Sequence, residues 1–225
     1  MSSGIEPDRR YSPADIPRLR EHWFEEYSDL LGPIPLELPL FREVNHHIPL
    51  IDENLRYNYH LPHCPEALEQ ELRQKIDRYT TAGWWEVKAV YQASPLLCVP
   101  KSGKLRTVVD ARKRNDNTFK DVTPFPDQDQ IRMDVARAKY RTKIDMSDAY
   151  EQIRVENEDV WKTAFATTLG TFVSHVMQQG DCNAPTTFQR LMTWIFREHL
   201  GIFIRVYLDD IFVYSDTIED HEGHL

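Results

Sequence analysis

Two adjacent carboxylates, Asp209 and Asp210, stand between two runs rich in β-branched and aromatic residues. Ile204, Val206 and Leu208 alternate with Arg205 and Tyr207, the period-two pattern of a strand, and residues 211–214 form a second strand candidate. The spacing predicts a tight hairpin with Asp209-Asp210 at its tip, because Asp tolerates the left-handed backbone that such turns demand. Two like charges fixed side by side repel each other, and a bound divalent cation would relieve that repulsion. A solvated turn with no further role uses the same residues. A third carboxylate, Asp145, falls where the strand opened by Arg141 should end. It is then exposed at a sheet edge, where sheet-based sites carry their ligands, although an aspartate at such a point also serves as a helix cap.

The elements that must position these groups are legible as patterns. Residues 184–200 read as a helix, with Asn183 as N-cap, Pro185 in the first turn, and Phe188, Leu191, Met192, Ile195, Phe196 and His199 at helical spacing before Gly201. Its N-terminus follows Gln178-Gln179-Gly180 and offers amides and the positive end of a dipole to an anion. Upstream, residues 94–99 and 105–109 read as strands joined by the turn Lys101-Ser-Gly-Lys104, with Arg106 just inside. Arg112, Arg114 and Asn115 follow in a cationic loop. Lysines also sit at exposed turns for solubility alone. Around these lie a packing helix from Pro65 through Leu68, Leu72, Ile76 and Tyr79 to Gly83, a strand over 84–90, a helix over 127–140, and a hairpin of 162–168 with 171–177. The first 60 residues, rich in proline, read as extended chain with one short helix over 16–31.

Charge is unevenly distributed. Residues 1–87 balance at −7, residues 88–143 at +7 and residues 144–225 at −9. A basic segment suits phosphate contact and an acidic one suits cation binding, so the net charge of −9 does not exclude a nucleic-acid partner. No apolar run is long enough to span a membrane, the N-terminus lacks a signal-peptide core, and no membrane partner is expected. Cys64, Cys98 and Cys182 lack metal-ligand spacing and suggest a reducing, intracellular compartment.

Three carboxylates, a helix N-terminus between them in sequence and a cationic hairpin upstream make the set that a triphosphate with two Mg²⁺ ions needs. At this point the sequence resembles the reverse transcriptases of gypsy-type LTR retrotransposons, over about residues 38–225. Tyr207-Leu-Asp209-Asp210 is similar to the family's Tyr-x-Asp-Asp box. Asp145-Met-Ser-Asp148-Ala-Tyr150 with Gln152-Ile-Arg154 resembles its first palm motif, and the stretch from Gln179-Gly180 to Met192 resembles its dNTP-side motif. Lys162-Thr-Ala-Phe165 lies between these two, as in the family. Ser94 to Lys101, Arg106 and Asp110-Ala-Arg112 resemble its fingers hairpin, and Arg42 to Ile48 its entry segment.

The resemblance implies an α+β fold of right-hand polymerase type. Residues 61–125 would be fingers and residues 126–225 an incomplete palm with an antiparallel sheet backed by helices. Part of 155–180 would return to the fingers, and 1–60 would be a proline-rich extension. It implies an RNA-directed DNA polymerase with Asp145, Asp209 and Asp210 as metal-binding catalytic carboxylates and the carbonyl of Met146 as a further ligand. The ions would be two Mg²⁺, with Mn²⁺ as the alternative. Lys101 or Lys104 with Arg106 would hold the dNTP triphosphate, and Asp148 and Ala149 would offer it amides. Tyr150 would stack under the sugar and exclude a 2′-hydroxyl. Gln179 and Gly180 would border the dNTP, and Arg112 and Asn115 the template. The implied partners are an RNA or DNA template with its primer, dNTP, and a second copy or other polyprotein domains; the implied place is a cytoplasmic particle or the nucleus.

This sequence departs from the family pattern in Pro100 before Lys101 and in Gln178-Gln179-Gly180. It stops at Leu225, where the family continues through palm, thumb, connection and RNase H, so a thumb is expected to be absent. Two other readings stand beside the polymerase: a truncated, non-catalytic remnant that at most binds nucleic acid or a protein, and a palm-domain polymerase or cyclase of another kind.

Overall fold

The computed structural model describes residues 13–57, 62–101 and 104–225. These divide into two compact units, one of residues 13–34, 126–145 and 196–225, the other of the remaining described residues between 35 and 195. Among the described residues the strands form two sheets, one in each unit, and the fold is α+β.

The first unit holds α1 (Ile16–Glu26), α4 (Gln128–Arg137), β4 (Tyr140–Asp145), β7 (Ile204–Tyr207), β8 (Asp210–Ser215) and α6 (Ile218–His224). Its sheet is antiparallel in the order β4-β8-β7. Ile204, Val206, Ile211 and Val213 are buried at every second position. Helices α4 and α6 pack against β8 and contribute Ile131 and Ile218 to the core. Period-two alternation then turns Asp145, Lys143, Asp210 and Phe212 to the other face, because a one-residue slip would expose the whole apolar set. Helix α4 is shorter than the predicted 127–140: Asp127 caps it by accepting from the amides of Asp129 and Gln130, and Ala138 is already extended. Helix α1 ends at Glu26, well before Leu31, with Leu19 its buried residue.

The second unit holds α2 (Glu69–Thr81), β1 (Trp85–Val87), β2 (Ser94–Lys101), β3 (Lys104–Val109), α3 (Arg112–Asp116), β5 (Phe165–Thr167), β6 (Gly170–Ser174) and α5 (Ala184–Ile195). Its sheet runs β1-β6-β5-β2-β3, and only the β2–β5 pair is parallel among the described strands. The core is aromatic. Tyr79 on α2 meets Trp84 and Trp85 edge-on at 4.8 and 4.7 Å, and Trp85 meets Phe165 at 4.7 Å. The packing helix forms as the spacing predicts and ends at Thr81, just before Gly83, whose φ of 73° lies in the left-handed region.

Several boundaries differ from expectation. Strand β1 is cut to three residues because Trp84 folds back, its amide to Tyr79 O and its indole to Glu37 O. Lys162 and Thr163 leave the predicted strand for a 3₁₀ turn over Asn157–Thr163, where the Thr163 hydroxyl bonds Val160 O and Ser174 O. Helix α5 stops at Ile195, not Leu200, and the chain continues in turns such as His199 N to Phe196 O. His199 consequently lies off the helix and against Phe203. The proline-rich segment is extended, as expected, but tied down: the backbone of His46 bonds Arg154 and Glu156, and Ile51 bonds Asn117. Among the described residues no helix is long and apolar enough to cross a membrane.

Candidate active site

In the first unit, register alone brings two of the three carboxylates together. Asp145 ends β4 directly opposite Asp210, which opens β8. Cβ atoms of residues opposed in this way lie about 4.5–5.5 Å apart. Tyr207 pairs with Asp210 and closes a two-residue loop of Leu208 and Asp209. The left-handed residue in this loop is Leu208, at φ 54°, not an aspartate. A leucine at positive φ is strained by about 1–3 kcal/mol, and such strain persists only where the surroundings enforce it. Asp145 and Asp209 are exposed, and Asp210 is half-buried.

One cation already sits among them. Lys143 Nζ lies 2.9 Å from Asp210 Oδ1. The hydrogen bond to Asp210, together with the fields of Asp210, Asp145 and Asp209, holds this ammonium above the usual lysine range. The donor set is three hard carboxylate oxygens on one open sheet edge, the chemistry that Mg²⁺ prefers. Among the described residues, no three His, Cys, Asp or Glu side chains are gathered tightly enough to hold an ion. Met146, expected as a carbonyl ligand, follows Asp145 in the chain but is grouped with the second unit.

The second unit holds the other predicted residues. On β3, Lys104 and Arg106 are two apart and both exposed, so they share a face. The backbone of Lys101 pairs with Lys104, while the turn residues 102–103 lie outside the described residues. Asp148 adopts φ 45° and its carboxylate takes a bond from Arg78 at 3.1 Å, which ties that turn to α2. Ala149 precedes a 3₁₀ turn over Tyr150–Gln152, and the Tyr150 ring sets against Phe188 at 5.6 Å, edge to face. Arg112 is paired bidentately with Asp110 at 2.7 and 2.6 Å.

The predicted cationic loop is in fact helix α3, which holds the stretch containing Gln179 and Gly180. Asn115 Nδ2 donates to Gly180 O at 2.7 Å, and Asn115 Oδ1 accepts from Cys182 N at 3.0 Å. Arg114 is buried, ion-paired with Asp181, and donates to Lys162 O. His46 Nε2 meets Asp181 at 3.2 Å and Nδ1 meets the Thr187 hydroxyl at 3.2 Å. Burial, then the positive charge of Arg114, drives the His46 pKa down to about 3. Arg114 already neutralises Asp181, so His46 makes neutral hydrogen bonds rather than a second ion pair. Gly180 has φ 112°, and a Cβ there would lie 2.4 Å from Val109 O. Asn183 gives its carbonyl to Thr187 N, but its side chain bonds Asp121 N and Phe119 O, so the expected side-chain cap of α5 does not form.

Sequence reasoning missed Lys143, Arg78, Arg114, Asp181 and His46. Only the alternation of Lys143 with Asp145 on one strand face gave a usable signal, since the other contacts join residues about 67–141 apart in the chain.

A model of the family described as reverse transcriptase (RNA-dependent DNA polymerase) matches residues 99–225, more than half of the chain. The chain belongs to the reverse transcriptase family. It is 34% identical over 167 residues to a retrovirus-related Pol polyprotein from transposon opus of Drosophila melanogaster, covering 72% of this chain and 17% of that one. It is 28% identical over 205 residues to the transposon Tf2-3 polyprotein of Schizosaccharomyces pombe, covering 90% of this chain and 15% of that one. The chain thus spans less than a fifth of the length of these polyproteins. A solved foamy viral protease-reverse transcriptase in complex with double-stranded DNA superposes with a TM-score of 0.80 at 22% identity, over 96% of this chain and 38% of that one. A likeness at this identity fixes the fold of this family member. A related solved foamy viral protein is in complex with an RNA/DNA hybrid, at a TM-score of 0.78 and 21% identity, covering 96% of this chain and 29% of that one.

Proposed function

We propose that this reverse transcriptase chain carries the nucleotidyl-transfer groups of an RNA-directed DNA polymerase of the gypsy type, acting on a primer with an RNA or DNA template. The observation that carries this reading is the register that opposes Asp145 to Asp210, with Asp209 adjacent in a strained loop. Asp145, Asp209 and Asp210 would hold two divalent ions, Mg²⁺ or Mn²⁺. These supply Lewis acidity to the attacking and leaving oxygens when bound.

The chain's own groups do the rest by position and charge. Lys143 balances the carboxylates. Arg106, with Lys104 or Lys101, supplies cations for non-bridging triphosphate oxygens, and the Asp148–Ala149 backbone supplies amides. Tyr150, braced on Phe188, is an aromatic plate against which a sugar with no 2′-hydroxyl fits. Arg112, whose exposed guanidinium is paired with Asp110, borders the template, and Gln179 with Gly180 lines the nucleotide side. Residues 61–125 serve as fingers, and 126–225 as palm, with part of 155–180 belonging to the fingers.

Primer extension on an RNA template with Mg²⁺ and dNTPs, alongside Mn²⁺ binding followed by electron paramagnetic resonance, tests this. Asp209→Asn is expected to lower extension by about 10²–10³-fold or more and to weaken Mn²⁺ binding. Equal extension in the variant would defeat the assignment.

A further inference from the structure

Resting on that reading, we propose that Asn115 is a positioning residue for the nucleotide-side stretch Gln179–Cys182, and not a reader of the template. Its side-chain amide is spent inside the protein. One end donates to Gly180 O at 2.7 Å and the other accepts from Cys182 N at 3.0 Å. A planar amide that bonds two backbone groups two residues apart fixes both the position and the tilt of the peptides between them. Asn has one donor end and one acceptor end, as this pair of partners requires. Aspartate would keep the acceptor and turn a carboxylate oxygen against the Gly180 carbonyl.

The stretch needs such a hold. Gly180 runs flush against Val109 O, so close that no Cβ fits, and Val109 N reaches Gln179 O at 3.4 Å. Gln179 and Gly180 thus lie along the end of β3, the strand that carries Lys104 and Arg106. Between Asn115's two bonds Arg114 grips Asp181, and just beyond them Asn183 grips the 119–121 segment. The base of Asn115 is itself set: its amide bonds Ala111 O at 2.7 Å and its carbonyl takes Thr118 N at 3.2 Å. The chain from β3 through α3 therefore transmits one geometry to the peptide planes of 180–182. A side chain so engaged has to break two bonds before it could touch a base edge.

The test is amide hydrogen exchange of the 225-residue chain with Asn115→Ala and Asn115→Asp, read beside steady-state dNTP kinetics and primer–template affinity. In Asn115→Ala, exchange at Cys182 and its neighbours should rise by roughly tenfold, the factor one net hydrogen bond supports. The KM for dNTP should rise several-fold, with kcat and primer–template affinity near wild type. In Asn115→Asp, Cys182 should stay protected while the KM still rises. Unchanged exchange in Asn115→Ala, or a fall in primer–template affinity with unchanged KM, would overturn the proposal and return Asn115 to the template. If the wild-type chain extends no primer, the polymerase reading is what fails, and the exchange result still decides whether Asn115 holds the stretch.

Discussion

The carboxylate edge of the first unit and the Gly180–Asn183 stretch of the second are both rich in charge, yet they are built on opposite terms. At the edge, Asp145 and Asp209 are exposed and face one ammonium, that of Lys143. In the other region, Asp181 is buried against Arg114 and His46, and the Gly180 carbonyl and Cys182 amide on either side of it are both bonded by Asn115. Charges meant to meet a cation must stay under-neutralised and hydrated until it arrives. Groups meant to hold a backbone in place must be satisfied and dry, because a half-satisfied buried network costs more than an apolar one. The difference predicts that the edge is separable from folding and the buried stretch is not.

The largest effect should come from breaking the buried side. Asp181→Ala leaves Arg114 uncompensated in the interior and should cost about 3–5 kcal/mol in urea unfolding. Asp145→Ala, at the edge, should leave the unfolding midpoint unchanged or raise it. Equal losses in the two variants would erase the contrast.

A smaller effect should follow pH. His46 is neutral in the folded chain, with a pKa of about 3 against 6.5 for an ordinary histidine. Its contribution is complete above pH 6.5. Below that the unfolded chain binds a proton that the folded chain refuses, and stability falls by about 1.4 kcal/mol per unit until about pH 3. Unfolding at pH 7, 6 and 5 should show a shallower slope in His46→Gln by that amount.

The smallest change in stability should come from Lys143→Met, whose partner pair is open to solvent. Its melting temperature in chelator should match wild type, while Mn²⁺ should bind several-fold more tightly because a competing cation is gone. Weaker Mn²⁺ binding would mean that Lys143 helps to gather the carboxylates rather than to balance them.

Much of the edge was legible in sequence. Alternation of Ile204, Val206 and Leu208 with a second run over 211–214 gave the hairpin, and Asp145 fell at its strand end, because one buried face leaves no freedom of register. The left-handed residue was misplaced, since Leu208 is held there by pairing on both sides against its own preference. Element boundaries and caps were also misplaced. Propensity does not register that Trp84 bonds Glu37 O, or that the Asn183 side chain leaves its helix for Phe119. The hold on residues 180–182 was invisible: Arg114 looked like one more cation in a basic stretch, and Asn115 was expected at the template.

The sequence by itself determined the family and the α+β class and singled out three carboxylates as candidates, because periodicity and motif order are one-dimensional properties that a chain carries without folding. Only the tertiary structure decided which polar side chains face solvent and which are consumed inside. Asn115, Asp181 and His46 acquire their partners from segments 65 to 141 residues away, and burial then fixes their charge and hydrogen bonding. A residue type states what bonds are available; the surroundings that folding assembles decide which of them are left for a substrate.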